Sequence, residues 1–542
     1  MKNFITYLMV LLLVIGTPEI SYSQKKIPGT NVITSSDLES YLTFLASPLL
    51  KGRKNGEPGL DIAQQYIVSE AKLLGLRPAN GKSYFQPYSV IKNTIYPEKT
   101  MIQVIAKGSD TLTFSEPIFQ LVPTGPVDFT VDGDVVFAGY GLKQDKYGYN
   151  DFENIQAEGK ILLVMMSSPM NKDGKYVFET TNWNSFMSIQ VKLTALLFSR
   201  ARAVIIVMDP RSGYLSLDDQ FPGISDELTS STTFKGEKNK NFQFTNMPKI
   251  MFVSRIVADA ILDGSGYSLE ELQKKIDSDL KPHSFLIPDK HVRITEAVQS
   301  TEESMNNVAA FIEGSDPALK NEYVVFSCHA DHIGASAKGI NTGADDNASG
   351  CAALLSMAKA FSSLEKKPLR SILFLWFSGE ELGLYGSLSY VNNPLVPLDK
   401  TVVDLNMDMV GRAKSAADTS AENPMTGPKS VFAITDNQSK ELIKIAEDVD
   451  KGSDLDLDYS LSGRNHPLQL FARSDHYNFV KHDIPVLFFT TGLHTDYHTP
   501  GDVVAKIDFN KLELVTCSMY QIGYIVANRK SRITVDNPFS KW

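Results

Sequence analysis

Residues 323–334 read YVVFSCHADHIG and, a few positions on, residues 341–350 read NTGADDNASG. Tyr323 to Phe326 is β-branched and aromatic, and it is too short for a helix, so it predicts a buried strand. Where the apolar run stops, His329, Asp331 and His332 follow, and then Asp345 and Asp346. A strand that ends in imidazoles and carboxylates is a metal-site signature, and three later strands end in a similar way.

Working outward, residues after Pro288 alternate strand and helix. Asn307 to Ile312, Tyr323 to Phe326, Ile372 to Phe377, Val402 to Leu405 and Pro485 to Phe489 read as strands. Cys351 to Ser362 and Ser439 to Val449 read as helices. Largely apolar strands alternating with helices predict an α/β fold, a mostly parallel mixed sheet with helices on both faces. Upstream, Ser35 to Leu50 and Leu60 to Leu74 read as amphipathic helices that pack on this sheet. Between them and the main unit, Val135 to Ala138, Ile161 to Met165 and Ala203 to Val207 are short β-rich runs with one helical stretch, Phe186 to Arg200. The expected division is residues 1–23 as signal peptide, 24–115 as the helical N-terminal part, 116–288 as an inserted β-rich domain and 289–542 as the main domain. The insert reads as a lid, spacer or gating module with few helices. Residues 414–429 read as a surface loop.

At 542 residues the chain exceeds one small core. The net charge of −10 argues against a nucleic-acid partner. Lys2, the apolar run Tyr7 to Ile15 and the small residues Ser21 and Ser23 predict a signal peptide cleaved near Ser23, hence an exported protein, periplasmic or extracellular. That run is shorter than the roughly 20 residues a span needs, and no later run is long enough, so no membrane span is expected in the mature chain. The three cysteines, Cys328, Cys351 and Cys517, show no CxxC spacing and read as small buried hydrophobes. Oligomeric state is not legible.

In open α/β sheets ligands bind beyond the carboxyl ends of the strands. There the chain delivers His329 and Asp331, then Glu380 and Glu381, then Asp408, then His498. Singly each has an ordinary reading: HxD as solvated surface, the two glutamates as capping charge at a helix start. Asp408 between Met407 and Met409 is harder to dismiss, because an unpartnered buried carboxylate is costly. Imidazole and carboxylate without thiolate suit zinc. Two histidines and three acids exceed one catalytic zinc but suit two metals sharing a carboxylate, with one glutamate left over as a general base. Asp331 is placed to orient His329. His332 and His494 are expected in supporting or surface positions.

The set HADHIG, GADDNASG, FSGEELGLYGS, LNMDMVGR and DYHTPGD resembles the co-catalytic di-zinc exopeptidases, among them bacterial leucyl aminopeptidases and the glutamate carboxypeptidase II group. The resemblance covers about Asn307 to Asn528. GRKNGEPG and LGLRP resemble the N-terminal extension of bacterial members, and the insert more weakly resembles a protease-associated (PA) domain. What it implies is peptide substrates and two zinc ions per chain. His329 and Asp408 would hold one ion, Glu381 and His498 the other, and Asp346 would bridge them, with a cis peptide after it. Glu380 would be the general base and Asp331 the orienting residue. The segment Arg473 to His476 would lie near the substrate pocket. Aminopeptidase is the preferred activity. A carboxypeptidase, a non-catalytic receptor and a one-zinc glutaminyl cyclase are the alternatives.

Overall fold

The computed structural model describes residues 27–541 apart from 109, 116–118, 121–127, 179–182, 184–187, 222–223, 225–227, 236–247, 337, 417 and 420–422. The expected signal peptide, residues 1–23, lies outside them. The fold is mixed α/β. Its larger sheet centres on four adjacent parallel strands, Ser371–Phe377, Tyr323–His329, Thr401–Met407 and Val486–Thr490. Antiparallel strands flank them, Val298–Ile312 on one side and Ser430–Ile434 on the other.

Side chains on a strand alternate between faces, and here both faces are buried. Val324, Phe326 and Cys328 enter one core with Ile372, Phe374 and Trp376. Val325, Leu373, Leu375 and Phe377 enter the other. Helices Ser35–Leu45, Pro58–Leu73, Gly350–Ser362, Lys440–Asp450 and Phe509–Asn528 cover the first core. Tyr385–Asn392 and His476–Val480 cover the second. Each fully buried Val, Leu, Ile or Phe contributes about 1.5–3 kcal/mol, so this double burial sets the register of the central strands.

A second sheet draws its strands from Met101 to Glu296. It too has four adjacent parallel strands, Phe129–Phe137, Ile161–Met165, Ala203–Val207 and Lys249–Val253. The expected few-helix character is not what forms. Ile189–Phe198, Arg255–Leu262 and Leu269–Asp279 are all helices, and they pack on the two faces of this sheet. Strand Ser230–Phe234 leaves the second sheet and pairs with Phe85–Ile95 at the edge of the first.

The segment read as a surface loop, 414–429, is part of the packing: Asp418, Met425 and Thr426 are buried. Lys511 donates to the Thr426 hydroxyl at 2.8 Å. Cys328 and Cys351 are buried as expected, whereas Cys517 is partly exposed.

Candidate metal centre

The four parallel strands end at one edge, and their following loops converge. His329 is the last residue of its strand. Glu380 and Glu381 lie on a turn between strand Ser371–Phe377 and helix Tyr385–Asn392, not at the helix start that their capping reading required. Asp408 follows Met407 at the end of its strand. His498 comes from the loop after Val486–Thr490 and takes a left-handed backbone, φ 56°. The Asp346–Asn347 peptide is cis.

Seven side chains form two adjoining groups: His332, Asp346, Glu381 and His498, and His329, Glu380 and Asp408. His329 Nε2 lies 3.3 Å from Asp408 and 3.4 Å from Asp346. His498 Nε2 lies 3.2 Å from Asp346 and 3.1 Å from Glu381. Glu380 stands 4.0 Å from His329 Nε2. All five expected ligands and the expected base therefore lie together in these two adjoining groups.

Asp331 sits differently from its expected role. Its backbone carbonyl, at 3.2 Å, is what meets His329 Nδ1, while its carboxylate is 3.7 Å away. That carboxylate accepts from the backbone N–H groups of Glu380 and Glu381 and from the Asn55 amide, so it holds the glutamate turn.

Other residues tie the loops together. The Asp502 carboxylate accepts the backbone N–H groups of Asp345 and Asp346. Arg53, 1 % exposed, donates to the carbonyls of Ala330, Thr342 and Gly343 and so links the HADH and GADD loops. Arg53 and Asn55 were missed because a side chain that acts on backbone carbonyls leaves no pattern of its own. Only the resemblance of GRKNGEPG marked that segment.

His332 and His494 are buried, which removes a surface role for both. His494 Nε2 lies 3.4 Å from Asp345. His332 Nδ1 lies 2.7 Å from Glu381.

The electrostatics test whether a metal fits. Asp346, Glu380, Glu381 and Asp408 are all at least nearly buried, and among the described residues their ion-pair partners are histidines, with no lysine or arginine. Burial pushes the Glu380 carboxyl well above its ordinary range; His329 opposes this, and Glu381 and Asp408 add to it. Burial pulls His329 down, but Asp408 and Glu380 more than reverse it, so the ring ends well above its usual value. His498 is likewise raised to about 10, burial being outweighed by Asp346 and Glu381. Crowded carboxylates without fixed cations are what divalent ions neutralise. The residues fit a metal.

Beside these groups opens a small pocket of about 50 Å³. Asp346, Glu380 and Asp408 form its floor, Met409, Leu470, Phe488, Leu493 and Tyr497 its apolar walls, and Arg473 joins them. Tyr497 stacks on the His498 ring at 3.8 Å.

A parallel-centred α/β sheet with imidazoles and carboxylates gathered at its carboxyl edge defines a class of metal-binding α/β proteins. Residues 307–522 match the family model of Peptidase family M28. A probable leucine aminopeptidase 2 of Arthroderma benhamiae is 30% identical over 271 residues, 45% of this chain and 48% of the relative. The chain thus spans about half the length of that relative. Two solved structures share the fold at a TM-score of 0.51 and 18% identity: an aminopeptidase from Aneurinibacillus sp. strain AM-1, covering 94% of this chain and 97% of that one, and a zinc aminopeptidase from Bacillus subtilis, covering 94% and 99%.

Proposed function

We propose that this chain is an exported zinc-dependent exopeptidase that removes N-terminal residues from peptides. Two zinc ions would be held, one by His329 and Asp408 and the other by Glu381 and His498, with Asp346 shared. The observation that carries the reading is the set of buried carboxylates whose only ion-pair partners among the described residues are imidazoles. When bound, the ions supply Lewis acidity toward a scissile carbonyl and toward water.

The chain's own residues do the rest. Glu380 faces the pocket and is not in the proposed ligand set, so it takes the proton from the attacking water and returns it to the leaving amine. Asp331 keeps the Glu380–Glu381 turn in position through its backbone hydrogen bonds. The apolar walls receive an apolar side chain from the residue being released.

The leucine aminopeptidase and zinc aminopeptidase relatives support the same activity. Hydrolysis of leucine p-nitroanilide, lost with chelator and restored by zinc, is the expected result. Arg473 at the pocket wall favours one alternative, a carboxypeptidase that grips a substrate carboxylate. Release of residues only from free C-termini would put that reading in place of the first.

A further inference from the structure

His332 is a buried imidazole outside the ligand set just proposed. His332 presents a ring with no exposed side-chain surface, and its Nε2 has no partner among the described residues. Its polar engagement runs through Nδ1, 2.7 Å from Glu381 Oε1 and 3.7 Å from Asp346 Oδ2. His498 Nε2 approaches the same two carboxylates from the other side, at 3.1 and 3.2 Å, and the two rings meet edge-on at 5.6 Å. Donors about 2.0–2.2 Å from one tetrahedral ion stand roughly 3.3–3.6 Å apart. The 2.7 Å His332–Glu381 contact is that of a hydrogen bond, and the other three distances, 3.1–3.7 Å, bracket the spacing around a shared ion.

The backbone also holds the ring in place. The His332 N–H donates to the Arg53 carbonyl at 3.1 Å. Gly343, at φ 58°, lies against the imidazole so closely that a Cβ there would stand 2.6 Å from Cδ2. A glycine is what admits the ring at this point.

We propose that His332 is a fourth protein donor to the ion held by Asp346, Glu381 and His498. The inference rests on the two-metal reading above and makes the two positions unlike in kind. One is closed by four side chains, as in structural zinc sites. The other, with His329, Asp408 and the shared Asp346, keeps a free position facing the pocket, as in catalytic ones. The closed position binds first and releases last.

Cobalt titration of the metal-stripped full-length protein tests this by counting hyperfine-shifted, exchangeable imidazole protons, alongside metal analysis after dialysis. At two equivalents the wild type is expected to show three such protons, two of them appearing with the first equivalent. His332→Gln should lose one and weaken the tighter site at least about tenfold. Two protons in the wild type, or an unchanged tighter site in His332→Gln, would make His332 only a hydrogen-bond partner of Glu381 and overturn the proposal while two-metal binding stands. A wild type that binds no cobalt would overturn the metal reading itself. Should the variant not fold, the wild-type proton count decides alone.

Discussion

The two sheets have the same centre, four adjacent parallel strands of apolar residues, yet they handle buried charge in opposite ways. In the second sheet Lys192 is fully buried and donates to the carbonyls of Tyr140, Met165 and Ser167 at 2.6–2.8 Å. Asp151, also buried, accepts from the N–H groups of Tyr140 and Leu142 and from the Tyr149 hydroxyl. Burial lowers the lysine to about 7 and raises the aspartic acid to about 7, so both charges are weakened and their hydrogen bonds are met within the protein. In the first sheet the carboxylates at the strand ends meet imidazoles and each other. A polar cluster that the chain completes by itself is scaffold. One that it leaves short of positive charge is built for something from outside.

The largest test of this contrast lies in the first sheet. Glu380→Gln should lower kcat on leucine p-nitroanilide by about 10²–10⁴-fold while metal content and the melting temperature stay unchanged. An equal loss of metal would move Glu380 into the ligand set. Lys192→Met is the matching break in the second sheet. It leaves three buried carbonyls without a donor and should cost about 3–5 kcal/mol in denaturant unfolding, with kcat per folded molecule unaffected.

The smallest effect sharpens the rule with an exception. Glu296 is fully buried, and neither oxygen has a hydrogen-bond partner among the described residues. Burial raises its carboxyl from 4.5 to about 7, with Lys249 opposing. The folded state therefore prefers the proton. Its penalty is absent below the ordinary carboxyl value, grows as pH climbs from there toward 7, and is complete above that. Glu296→Gln should raise stability by about 1–3 kcal/mol at pH 8 and by almost nothing at pH 4, read from melts at the two values.

Much of this was legible in the chain. The runs Ile161 to Met165 and Ala203 to Val207 match observed strands end to end, because full burial on both faces leaves an unbroken apolar run. The order of motifs at the strand ends showed which side chains would gather, since strand direction alone carries them to one edge. Long half-exposed strands were harder. Val298–Ile312 begins with polar residues whose sheet partners are what hold them extended. Helix Leu269–Asp279 carries a signal readable in the sequence, the Ser268 and Glu271 capping box. His332 was visible as a residue, but its approach to Glu381 depends on how two loops fold, and adjacency to His329 in sequence says nothing of that.

The grip of Arg53 on carbonyls 277 to 290 positions further along has a consequence for assembly. Contacts of such long reach close late, after the segments between them have found their own order. The pocket therefore matures only once the start of the polypeptide has docked against its far half. A protease cut between Asn55 and Leu60 would loosen the Arg53 segment and disarm the protein without touching a single donor atom.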